Sequence, residues 1–192
     1  MNSPLAWLAF RRLPQRGLKL HLGSGTVHFD GWVNVDLETP QADLHWDITS
    51  GLPLPDGCAR IIYHEHVMEH ITVPQGETCL RDWYRLLEPG GVLRIATPDL
   101  AYVVERYQGD WKDQAWLRRP EYASIATRAE MFNASMRWWD HQFLYDGEDL
   151  ERRMRAAGFA TVRRCGYRES PEPVLAGLET REDSKLILEG VK

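Results

Sequence analysis

Between Leu18 and Leu37 the apolar positions alternate, stop at a glycine turn and resume. Lys19 to Leu22 alternates polar with apolar, Gly23-Ser24-Gly25 interrupts, and Val33 to Leu37 regains strand character, so the segment reads strand, turn, strand. Strands are predicted over 18–22, 32–37, 43–46, 60–64, 92–97, 160–167 and 184–191. Helical spacing takes over at 76–87, where Leu80, Trp83, Leu86 and Leu87 share one face and Glu88-Pro89-Gly90-Gly91 ends the run. A later helix is predicted over 147–157, capped by Asp146 and stopped by Gly158, with Phe159 folding back as its apolar contact. Pro171 to Pro173 marks a loop inside the last strand pair.

Two segments lie outside this alternation. Residues 1–17 carry the apolar run Pro4 to Phe10, too short to span a bilayer. Arg11 and Arg12 follow that run, the wrong order for a signal peptide, so an amphipathic first helix is expected. Residues 101–142 form a long, mostly helical connection that holds Trp111, Trp116, Trp138 and Trp139. Those aromatic faces suit either a stacked acceptor or simple packing of the insert onto the domain.

At 192 residues the chain fits one α/β domain over 1–192. A net charge of −5 carries no nucleic-acid footprint over the whole chain. The local basic run Arg152, Arg153, Arg155, Arg163, Arg164 and Arg168 reads as a solvated helix face and edge strand. Cys58, Cys79 and Cys165 form neither a disulfide framework nor a C-x-x-C pair, which fits a reducing, cytoplasmic compartment. No transmembrane segment is expected, and the oligomeric state is open.

The glycine turn and Asp36 carry the chemistry. Glycines after a first parallel strand let the backbone approach a ligand, and an acid ending the next strand can accept both hydroxyls of a ribose. A dinucleotide site wants a third glycine where His28 stands. Asp36 also arrives 13 residues after Gly23 instead of roughly 20. Thr26 to Gly31 is too short for a crossover helix, so no helix N-terminus is aimed at a pyrophosphate.

Further blocks follow: DLHWDI (43–48), GLPLPDGCARIIYHEHVMEHI (51–71), LLEPGGVLRIATPDL (86–100) and HQFLYDGEDLERRMRAAGF (141–159). With them the chain, from about Leu18 to Phe159, resembles the class I S-adenosylmethionine-dependent methyltransferases. It looks closest to a small subgroup with L-x-L-G-[CS]-G, G-W-x-N-V-D, H-V-x-E-H and L-x-P-G-G-x-L-R-I-x-x-P-D-L. The resemblance implies an α/β, Rossmann-like, seven-stranded and mostly parallel sheet, helices on both faces, and a C-terminal antiparallel hairpin. It also implies S-adenosyl-L-methionine across the carboxyl ends of the first four strands. Matched by position, Gly23, Ser24 and Gly25 pass its methionine part, Asp36 holds the ribose and Leu37 lies beside the adenine. Asp47 meets the adenine amino group, Ile48 covers its face, and Tyr63, His64 and Glu65 pass the sulfonium. Two departures stand out: His21 replaces the family's usual acid, and the first crossover helix is nearly absent, so arginine or backbone donors elsewhere must hold the cofactor carboxylate.

Methyl transfer is an in-line displacement in which the enzyme chiefly aligns its reactants, while a hydroxyl or amine acceptor must also lose a proton. His64, His66, Asp99 and His141 are the candidates for that base; Glu69 and His70 read as structural. His66 to His70 also reproduces H-x-x-E-H, the inverted zinc-protease motif. It follows a strand directly and Pro74 cuts off any long helix, so no metal is expected. The insert over 101–142 occupies the place where the family builds its acceptor lid. The expected activity is methyl transfer to a small-molecule or glycan-like acceptor at O or N. Its rivals are a non-catalytic nucleoside-binding module, a nicotinamide oxidoreductase and a zinc hydrolase.

Overall fold

A computed structural model describes residues 4–192 of the chain, with side chains from Trp7 onward. Seven strands, β1 (Leu18–Leu22), β2 (Val33–Asp36), β3 (Leu44–His45), β4 (Ala59–Glu65), β5 (Leu87–Thr97), β6 (Thr161–Arg164) and β7 (Leu186–Val191), form one sheet. Five longer helices accompany them: α1 (Pro4–Phe10), α2 (Val73–Leu86), α3 (Leu100–Gln108), α4 (Arg128–Arg137) and α5 (Gly147–Ala157). The strand order is β3-β2-β1-β4-β5-β7-β6, with β1 to β5 parallel and β7 antiparallel to both neighbours. This is the Rossmann-like arrangement that the resemblance implies. The order reverses between β1 and β4, and a ligand crevice opens beyond the carboxyl ends of strands at such a point.

One sheet face carries the main core. Leu20, Leu22, Val35, Ile62, Leu93, Ile95 and Leu188 pack there against Cys79, Leu80 and Trp83 of α2 and Leu150 and Met154 of α5. Phe10 of α1 joins them edge-on to Trp46. The opposite face buries Ile61, Tyr63, Val92, Ala96 and Ile187 beneath Phe29, Trp32, Val174, Leu175 and Leu178, which lie on two loops. The helix missing between β1 and β2 is the one that the short Thr26 to Gly31 connection excludes. The chain passes from β1 to β2 in ten residues, too few for a crossover helix, so a loop does the covering.

Two element boundaries shift for identifiable reasons. The helix expected from residue 76 begins at Val73, because Gln75 Oε1 accepts the Thr72 N–H at 3.0 Å and Pro74 sits in the first turn, where no N–H is needed. β5 begins at Leu87 opposite Ala59, leaves the ladder over 88–91, and rejoins at Val92 opposite Ile61. The α5 boundaries match the expectation: Asp146 Oδ1 accepts from Asp149 N at 2.9 Å, and Gly158 ends the helix at φ 120°.

Two polar anchors fix the loop between β6 and β7 over the crevice. Fully buried Arg94 donates to Glu179 at 2.5 Å, to Glu189 at 2.7 Å and to the Glu169 carbonyl at 2.9 Å. Glu65 accepts from Thr180 N, Thr180 Oγ1, Arg181 N and Ser184 Oγ at 2.6–3.1 Å. The insert has its own small core of Val103, Trp116, Met131, Ala134 and Leu144. It forms α3, α4 and short turns at 116–118, 120–122 and 138–140. Of the basic run, Arg152, Arg153, Arg155, Arg163 and Arg164 are all ion-paired within the chain. Among the described residues no helix is long and apolar enough to cross a membrane.

Candidate functional site

Two adjoining cavities open at the carboxyl end of the sheet. The first, about 310 Å³, lies at the strand-order reversal and is lined by Gly23, Ser24, Gly25, Asp36, Tyr63 and Glu65. The second, about 140 Å³, lies under the insert and is lined by Asp99, Trp116, Tyr122, Trp139 and His141. His66, His70 and Arg181 line both, and so form the wall between them.

Glycine is required twice in the first cavity. Gly23 (φ 61°) lies so close to the loop after β4 that a Cβ would come within 2.3 Å of Val67 Cγ2. Gly25 (φ 51°) has nothing within 4 Å of a built Cβ, leaving an open cradle beside the turn. Ser24 Oγ and Tyr63 Oη are buried without a hydrogen-bond partner, and both residues line the cavity. Asp36 accepts from Gly25 N at 2.9 Å, Glu38 N at 3.0 Å and Thr39 N at 3.1 Å. Burial opposes its charge, but these amides hold its carboxyl below the usual range, so it stays ionised.

His21 stacks on Phe29 at 4.4 Å, and its Nδ1 lies 3.1 Å from Asn34 Oδ1. Asn34 in turn accepts from Phe29 N at 3.0 Å and donates to Phe29 O at 3.1 Å, fixing the loop that stands in for the crossover helix. Burial depresses the His21 pKa, so the position that usually carries an acid here carries a neutral ring.

The remaining expected cofactor residues separate. Tyr63 and Glu65 face the cavity, yet the Glu65 carboxylate is already taken up by the 180–184 segment. Its role is to hold Thr180 and Arg181 in place. His64 is a correction: strand alternation turns it to the opposite face, where it packs on Trp83 at 4.7 Å and lines neither cavity. Burial lowers its pKa to about 3, so it stays neutral and sealed from any substrate. Leu37 is exposed beside Asp36. Asp47 caps its own turn through Thr49 N at 2.9 Å, and Ile48 lies in the core; neither residue lines the cavity.

Around the shared wall, His66 (φ 54°) is held in the left-handed region, a conformation that a non-glycine residue adopts only when its surroundings require it. Its Nδ1 lies 2.9 Å from Glu69 Oε1, and its Nε2 is buried without a partner. Glu69 is fully buried; Thr97 Oγ1 donates to its Oε2 at 2.9 Å. Burial resists the Glu69 charge, but His66 and His70 beside it bring its pKa down to about 2. His141 Nδ1 lies 2.8 Å from the Ser135 carbonyl, which leaves Nε2 as the free ring nitrogen. Asp99 is a second correction. It lines the second cavity, but one oxygen caps α3 through Ala101 N at 2.9 Å and the other meets Arg164 at 2.5 Å. A carboxylate so engaged is poorly placed to take a proton. Of the four candidate bases, His66 and His141 keep a free ring nitrogen at the second cavity.

Trp116 and Trp139 line that cavity, whereas Trp111 packs against the insert core and Trp138 packs on Tyr122 and Trp139 outside it. Trp139 Nε1 donates to Tyr122 Oη at 3.0 Å. Several lining residues carry no motif in the sequence: Thr180 and Arg181 in the first cavity, Arg119 and Asp183 in the second. The one advance signal for Arg181 is the missing crossover helix between β1 and β2, which leaves a cofactor carboxylate to be held by an arginine or backbone donors from elsewhere.

The sequence profile of the methyltransferase domain family matches residues 14–164. No curated protein matches the chain by sequence. Among solved structures the chain is similar to an S-adenosylmethionine-dependent methyltransferase of Thermotoga maritima, a possible histamine N-methyltransferase, at 20% identity and TM-score 0.56 over 98% of this chain and 88% of that one. An S-adenosylmethionine-dependent methyltransferase of Archaeoglobus fulgidus superposes with TM-score 0.57 at 14% identity, over 98% and 93% of the two chains. One of Mesorhizobium loti covers 99% of each chain at 17% identity and TM-score 0.53.

Proposed function

The chain belongs to the methyltransferase domain family, class I S-adenosylmethionine-dependent enzymes, and we propose that it methylates a small-molecule or glycan-like acceptor at oxygen or nitrogen in the cavity under the insert. The observation that carries this reading is the pair of cavities meeting at His66, His70 and Arg181, one glycine-lined and the other aromatic.

The first cavity fits the cofactor. The cradle at Gly25 leaves room for it, and the unpartnered Ser24 Oγ and Tyr63 Oη await polar atoms. Asp36, ionised, suits the ribose hydroxyls, and the exposed Leu37 suits the adenine edge. Asp47 and Ile48, which lie outside this cavity, take no part in holding the cofactor. Arg181 has no side-chain partner among the described residues and lines the cavity, so it suits the cofactor carboxylate that no crossover helix is there to hold. Bound S-adenosylmethionine supplies an electrophilic methyl group on a sulfonium.

The residues around the second cavity align the acceptor. Trp116, Trp139 and Tyr122 offer aromatic faces to a planar ring or a sugar, and Arg119 adds a cation. His66 Nε2 can accept the hydrogen of an acceptor hydroxyl or amine at the wall between the cavities. Glu69 positions that ring, and Thr97 positions Glu69. Incubating the protein with S-adenosylmethionine and a panel of phenols, sugars and amines tests the proposal. S-adenosylhomocysteine should form with at least one hydroxyl or amine acceptor; cofactor binding with no turnover across the panel would favour a non-catalytic module.

A further inference from the structure

The H-x-x-E-H run and the insert bring together a donor set of which the methyl-transfer reading uses only Glu69, to position His66. Coordinating atoms of Glu69, His70 and His141 all lie within 4.8 Å of one another, and Glu69 Oε1 is 3.9 Å from His70 Nε2. We propose that Glu69, His70 and His141 bind one divalent transition-metal cation on the acceptor side of the wall between the two cavities.

Three independent features support it. Glu69 Oε1 is fully buried between two imidazoles, with His66 Nδ1 at 2.9 Å and His70 Nε2 at 3.9 Å, while the carboxylate's other oxygen is fixed by Thr97 Oγ1 at 2.9 Å. A buried carboxylate oxygen that meets one imidazole keeps a second lone pair, which a cation can take. His141 Nδ1 is placed on the Ser135 carbonyl at 2.8 Å, which protonates that nitrogen and leaves Nε2 as a ligand; an imidazole bonded to a backbone carbonyl in this way is the usual support of a metal-bound histidine. His70 and His141 line the acceptor cavity while Glu69 stands behind them, so positions opposite the carboxylate face that cavity.

The donor chemistry selects the ion. Two imidazoles and one carboxylate suit zinc, manganese, iron or cobalt and leave positions open, whereas calcium and magnesium require mostly oxygen. Bonds of about 2.1 Å place ligand atoms roughly 3.4 Å apart, so the trio must close by up to about 1.4 Å. Both histidines are partly exposed and can turn to do so. Resting on the acceptor assignment above, the open positions would be filled by an acceptor oxygen, which narrows the acceptor class to hydroxylated compounds. Binding of the ion itself does not rest on it.

Untagged protein, stripped with a chelator and dialysed, is titrated with cobalt(II) and followed by visible absorption. S-adenosylhomocysteine binding is measured on the same samples. The expected result is saturable uptake of one cobalt per chain, displaced by zinc and weakened at least tenfold in His141→Ala, with S-adenosylhomocysteine binding intact. Glu69→Gln should abolish uptake; because that residue is buried, a poorly folded Glu69→Gln leaves His141→Ala to decide. No saturable uptake, or uptake undiminished in His141→Ala, overturns the proposal. Loss of the enzyme reading would show separately, as absent S-adenosylhomocysteine binding.

Discussion

Substituting Gly23→Ala should destabilise the protein for two separable reasons. The residue sits at φ 61°, where a non-glycine residue costs roughly 1–2 kcal/mol, and its new Cβ would come within 2.3 Å of Val67 Cγ2. Such overpacking in a close-packed region costs about 1–3 kcal/mol. Together they predict a loss of about 2–5 kcal/mol, which lowers the unfolding midpoint of a chain this long by roughly 5–15 °C. Val67 is 8% exposed, so Val67→Ala alone should cost about 2 kcal/mol through lost burial and unfilled space. Val67→Ala also removes the methyl group that the new Cβ at position 23 would strike. The double variant should therefore be about 1–3 kcal/mol more stable than the sum of the single effects implies, with only the backbone cost of Gly23→Ala remaining. Denaturant unfolding of the four proteins measures this coupling. Additivity within about 0.5 kcal/mol would refute the close approach of the glycine turn to the loop after β4.

Gly25→Ala should behave oppositely, because its Cβ meets nothing in the protein. The stability loss should stay near the backbone cost of about 1–2 kcal/mol, while S-adenosylhomocysteine affinity falls at least tenfold by calorimetry; unchanged affinity would mean the cradle is not used. His64 predicts a pH dependence of stability. Burial first of all, with His21 beside it and against the pull of Glu69, holds its folded pKa near 3, while the unfolded ring titrates near 6.5. The unfolded state then binds the extra proton between those values, so this contribution is complete above pH 6.5 and is lost as pH falls. Between pH 8 and pH 5 the group should remove about 2 kcal/mol, a figure insensitive to where below 5 the folded value lies. In His64→Leu that part of the pH dependence should vanish, as read by chemical unfolding at both pH values; an unaltered dependence would place the titration elsewhere.

The alternation of Leu18 to Leu37 and the apolar runs after it are enough to read the strands of the sheet, because a strand buried on a face writes its period into the chain. Asp146, Gly158 and Phe159 likewise make the ends of α5 legible, since capping is a local matter. The start of α2 is harder: Gly76 looks like a boundary, but the capping box of Thr72 and Gln75 lies upstream of it. The candidate site divides along the same line. Gly23, Gly25 and Asp36 are local and readable. His64 is expected at the crevice and lies on the other face, because proximity to a strand end does not say which way a period-two side chain points. Glu65 and Asp99 are recognisable as site carboxylates, but their partners, the 180–184 segment and Arg164, are contributed from more than 60 residues away. Arg181 and the grouping of His70 with His141 are likewise tertiary facts, which no spacing along the chain encodes.

The most direct test of the account is calorimetric titration of S-adenosylhomocysteine into the wild-type protein and into Asp36→Ala. The wild type should bind one nucleoside per chain. Asp36→Ala should remain folded and lose two charge-assisted hydroxyl contacts, each worth about 1.5–3 kcal/mol, so its dissociation constant should rise by about a hundredfold or more. Equal affinity in the two proteins, with both folded, would contradict the placement of the cofactor across Gly23 to Gly25 and Asp36.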